Sequence, residues 1–74
     1  MDRNAYNNYL NDFDVLMAKI ENPGISRQIS SAVKNGMRVE EIAFFYSVSV
    51  DSIQNDLDIL ERIQILTQNV SKEL

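Results

Sequence analysis

Apolar residues return every three or four positions through four stretches of the chain, and residues that break helices separate the stretches. In the first, from about 4 to 21, Tyr6, Tyr9, Leu10, Phe13, Leu16, Met17 and Ile20 form one stripe. Asn7, Asn8, Asn11, Asp12, Asp14 and Lys19 mostly fill the other side, the pattern of an amphipathic helix. Asn22-Pro23-Gly24 ends it, because proline disfavours helical backbone at the residue before it. The second stretch, 26–35, has Ile25, Ile29, Ala32 and Val33 as its apolar face and Ser26 as its expected N-cap. Gly36 stands where a left-handed residue closes a helix, and Lys34 suits the negative end.

The third stretch is short, 39–46, with Glu40 and Glu41 in its first turn and Ile42, Ala43, Phe45 and Tyr46 as its apolar positions. Phe44 falls off that stripe, and either widens the core face or is an exposed contact. The fourth begins near Val50 behind Ser49 as N-cap, and Ile53, Leu57 and Leu60 form its core stripe. A second stripe, Ile59, Ile63, Leu66 and Val70, starts further on. Helix is expected to about Leu66, although 63–67 also alternates loosely and reads as a short strand in the alternative. The expected fold is all-α: a small domain of three to four helices over 1–74, with at most a vestigial C-terminal strand.

The third and fourth stretches together meet the packing demands of a helix-turn-helix, in which a tight turn locks two short helices against each other. Ala43 is the small residue that lets the second helix approach, and Ser47 stands at the turn where glycine is usual. Val48 plugs the gap behind it, Ser49 caps, and Ile53 and Leu57 are buried a turn apart. Residues 41–60, Glu-Ile-Ala-Phe-Phe-Tyr-Ser-Val-Ser-Val-Asp-Ser-Ile-Gln-Asn-Asp-Leu-Asp-Ile-Leu, resemble the DNA-binding segment of DeoR-type bacterial repressors. That pattern is an Ile/Leu-Ala pair, Val-Ser, two variable residues, Thr-Ile-Arg-Arg-Asp-Leu, then a leucine. The resemblance implies that Ser49 caps a recognition helix and touches a phosphate, and that Ser52 replaces the family threonine. Gln54 and Asn55 stand in place of the paired arginines; both residue types read adenine by bidentate hydrogen bonds. The family's glycine-bearing wing and its effector domain have no counterpart in this chain.

Charge complicates that reading. The 74 residues carry a net charge of −4, whereas phosphate neutralisation supplies most non-specific affinity for DNA. All carboxylates lie outside 22–39, and that window holds Arg27, Lys34 and Arg38, either a phosphate-contacting patch or ordinary solvated surface. The exposed face expected on the fourth helix combines Gln54, Asn55 and Arg62 with Asp51 and Asp58.

There is no cysteine and no histidine, so thiolate metal sites, disulfides and the commonest general base are excluded. Asp12 and Asp14 face different sides of a helix, and no calcium-loop spacing occurs, so no catalysis, cofactor, metal or small-molecule substrate is expected. No apolar run approaches the ~20 residues that span a bilayer. The opening residues, Met1 to Asn8, lack a signal peptide's apolar centre, which makes a cytoplasmic location the expectation.

A chain this short buries only ~60% of its unfolded surface, and small domains without disulfide or metal staples often dimerise or dock on a partner. Ile59, Ile63, Leu66 and Val70 serve a dimer or partner contact as readily as internal packing. Tyr6, Tyr9 and Phe13 read as core, with a partner surface as the alternative. The expected function is a small, dimeric helix-turn-helix regulator of the kind carried by phages and plasmids. It would bind double-stranded DNA through Arg27, Lys34, Arg38, Ser49, Ser52, Gln54 and Asn55. The alternative is an adaptor, antirepressor or inhibitor that keeps the scaffold and docks a protein on an acidic or apolar face.

Overall fold

A computed structural model describes residues 3–73. It is all-α: α1 (Arg3–Ala18), a 3-10 turn (Pro23–Ile25), α2 (Ser26–Lys34), α3 (Val39–Tyr46) and α4 (Val50–Glu73). The 24 residues of α4 give a rod of ~36 Å at 1.5 Å per residue, and the molecule's longest dimension is 44 Å. α4 is therefore the spine. α2 and α3 pack on it and on each other to make a head, while α1 packs on α4 alone among the helices.

The head closes over Ile29, Ile42, Ala43 and Ile53, with Ile25, Ala32, Val39, Tyr46, Val48, Val50 and Leu57 packed around them. α1 and the far part of α4 form an antiparallel two-helix arm. Its direction follows from two contacts: the Tyr9 hydroxyl lies 3.2 Å from that of Thr67, and the Glu21 N–H reaches Asp56.

The turns are built by capping. Gly36 takes φ +91°, Met37 N–H donates to the Ala32 carbonyl and Gly36 N–H to that of Val33, a Schellman closure of α2. α3 closes the same way without glycine. Ser47 adopts φ 57°, ψ 42°, Val48 N–H donates to the Ala43 carbonyl, and Ser47 N–H to that of Phe44. A non-glycine residue in that region is strained by about 1–2 kcal/mol. Ser47→Gly is therefore expected to stabilise the fold by about 0.5–1 kcal/mol after glycine's own entropy cost, seen as a higher urea midpoint at unchanged slope.

The structure differs from the sequence expectations at several points. α1 ends at Ala18, not near Glu21, because Lys19 and Ile20 N–H turn onto the Leu16 and Met17 carbonyls in 3-10 fashion. Ser26 is not the N-cap of α2. Ile25 occupies that position, and the Ser26 hydroxyl donates to the Pro23 carbonyl at 3.4 Å. α4 continues past Leu66 to Glu73, and no strand forms at 63–67. A lone strand there would have no partner to pair with, whereas helix lets Ile59 become buried and Ile63, Leu66 and Val70 half-buried beside α1. Phe45 is not in the core: it is 72% exposed, because Val39, Ile42, Ala43 and Tyr46 already fill the inner face of α3.

Candidate functional surface

The turn between α3 and α4 places the N-terminal half of α4 at the surface of the head. Ser49 caps it: its hydroxyl accepts from Ser52 N–H at 3.1 Å, and the Ser52 hydroxyl donates back to the Ser49 carbonyl at 2.8 Å. Ser52 also accepts from the Asn22 side-chain amide at 3.2 Å, so it is tied to the loop after α1.

Asn55 is tied to the same loop, since its amide nitrogen donates to the Lys19 carbonyl and to Asp56, each at 3.2 Å. Asp56 is fully buried, and both its carboxylate oxygens are used. One accepts Glu21 N–H at 2.8 Å and the Asn55 amide; the other accepts Asn22 N–H at 2.8 Å and the Asn22 side-chain amide at 2.9 Å. A carboxylate is the right group here, because it accepts on both oxygens and need donate nothing. Among the described residues no buried side-chain nitrogen or oxygen is left without a partner. The sequence signal for this site is an acid, Asp56, interrupting the apolar stripe between Ile53 and Ile59.

The residues expected to touch DNA differ in their surroundings. Gln54 is exposed on α4. Arg38 bonds Glu41 at 3.0 Å across the start of α3. Lys34 is exposed in the last turn of α2, and Arg27 lines a shallow groove with Gln28, Ser31, Asn35, Met37 and Tyr46. No lysine or arginine occurs anywhere from Val39 to Glu61, the whole of α3 and the first half of α4. Glu40, Glu41, Asp51, Asp58 and Glu61 are exposed over that span. The nearest cation along α4, Arg62, pairs with Asp58 at 3.2 Å.

The outer side of α3 adds an apolar feature. Phe44 is 88% exposed, next to the exposed Phe45, whose ring meets Tyr46 edge-on at 4.9 Å between centroids. Phe44 therefore does not widen the core face. Together with Phe45 it leaves two adjacent phenylalanine rings open to solvent on the outer side of α3.

No protein-family model, curated protein or solved structure matches the chain. Among the described residues no helix is long and apolar enough to cross a membrane, and no three acidic side chains converge as a metal site needs.

Proposed function

We propose that this chain is a protein-binding adaptor built on a helix-turn-helix scaffold, with the outer face of α3 and the exposed face of α4 as its docking surface. One observation carries the reading: over 39–61 the head offers carboxylates and two bare phenylalanines, and no cation. Neutralisation of phosphates by cations supplies most of the sequence-independent part of DNA affinity, and this surface has no cation to do it. A protein partner with an apolar pocket and a basic rim suits it. Phe44 and Phe45 would anchor in the pocket, while Glu40, Glu41, Asp51 and Asp58 steer the encounter and fix its register.

A duplex-DNA reading keeps one supporting observation, the exposed N-terminal turn of α4 with Gln54 on its open side. In that reading Arg27, Lys34 and Arg38 on the neighbouring elements supply the phosphate contacts. Selection from a random duplex pool at low salt separates the two. The adaptor reading expects no enriched sequence and an anisotropy titration weaker than about 10⁻⁴ M, the weak end of non-specific binding. An enriched site lost on Gln54→Ala would establish the DNA reading instead.

A further inference from the structure

The arm is underfilled. No side chain of α1 is buried along its 16 residues, although they include Tyr6, Tyr9, Leu10, Phe13, Val15, Leu16 and Met17. Tyr6, Leu10, Val15 and Met17 are each 40–48% exposed on it, open apolar area that a partner can cover.

One side of the arm is shaped to use it. A groove of about 410 Å³ runs between α1 and α4, lined by Asp12, Val15, Leu16, Arg62, Ile65, Leu66 and Asn69. Val15 and Ile65, from opposite helices, are half exposed in it. Asp12 on α1 and Arg62 on α4 both line the groove and carry opposite charges. The ion pair with Asp58 uses one of the five guanidinium donors of Arg62.

From this we infer that two copies of the chain pair arm to arm through this groove. A two-fold axis parallel to the arm lays α1 of one copy over α4 of the other at the same level, so that Asp12 of each copy faces Arg62 of the other. An isologous contact needs a patch complementary to itself, and a patch carrying both signs beside apolar residues meets that need. The head does not: its outer face is acidic, and two such faces repel. The result is a four-helix bundle with a Val15/Ile65 seam and both heads left open, since the groove shares no residue with the outer face of α3. This inference stands apart from the adaptor reading and holds for either occupant of the heads.

Sedimentation velocity on the full chain at about 100 μM tests it, that being well above the dissociation constant of a useful dimer. The expected mass is that of two chains. Ile65→Lys, which puts a charge into the seam, is expected to weaken the dimer at least about 30-fold while helical circular dichroism is retained. Asp12→Arg and Arg62→Asp should each weaken it, and the doubly exchanged chain should recover the two-chain mass. Phe44→Ser/Phe45→Ser should leave the mass unchanged. A wild-type mass of one chain overturns the inference, as does a dimer indifferent to Ile65→Lys. Failure of the doubly exchanged chain to recover overturns the two-fold register.

Discussion

Replacing Asp56 with alanine is expected to cost about 3–5 kcal/mol, the range for breaking a buried, fully hydrogen-bonded charge site. The loss has identifiable parts. Glu21 N–H and Asn22 N–H lose their acceptors, the Asn22 and Asn55 amides each lose one of two, and a cavity opens beside Ile53 and Ile59. A domain of 74 residues has only about 4–11 kcal/mol of stability, so the variant sits near its threshold. Thermal denaturation should show a midpoint lower by roughly 15–30 °C. Asp56→Asn is the finer test. It keeps the volume, but its amide group must face one pair of donors, so about 2–3 kcal/mol is still lost. A variant as stable as the wild type would mean that Asp56 is not the clamp between α4 and the loop after α1.

The second large effect concerns the outer face of α3. Phe44→Ser/Phe45→Ser is expected to leave folding stability within about 0.5 kcal/mol, because both rings are mostly exposed and surface changes are usually this mild. Partner binding should fall by about 2–4 kcal/mol, 30- to 1000-fold, as when anchoring aromatic residues are removed. Competition between wild-type and variant chains for the same partner measures the ratio. Gln54→Ala should change that competition little. The opposite ranking, with Gln54 dominant and the phenylalanines silent, would remove α3 from the docking surface and leave α4 alone.

The head was readable in the sequence because its signals are local. Ala43, Val48, Ile53 and Leu57 lie within fifteen positions of each other, and their spacing points to two helices packed around a tight turn. What depended on distant contacts was not readable. The last turns of α4 are held in place by α1, and the Tyr9–Thr67 contact spans 58 positions. The donors to Asp56 are backbone groups 34 and 35 positions away, which no side-chain pattern reveals. Ser52 and Asn55 read as surface residues for the same reason, yet both bind the loop after α1. Phe45 read as core because it is apolar on a short helix, but α3 needs only Val39, Ile42, Ala43 and Tyr46 to cover Ile53.

The adaptor reading is tested most directly by placing a photo-cross-linking phenylalanine analogue at position 44 in one chain and at position 54 in another, with irradiation in the cells that make them. The expected result is a discrete adduct from position 44 that resists nuclease and is destroyed by protease, and no nuclease-sensitive adduct from position 54. Nuclease-sensitive adducts from position 54, with none of any kind from position 44, would contradict the account and return the helix-turn-helix to DNA.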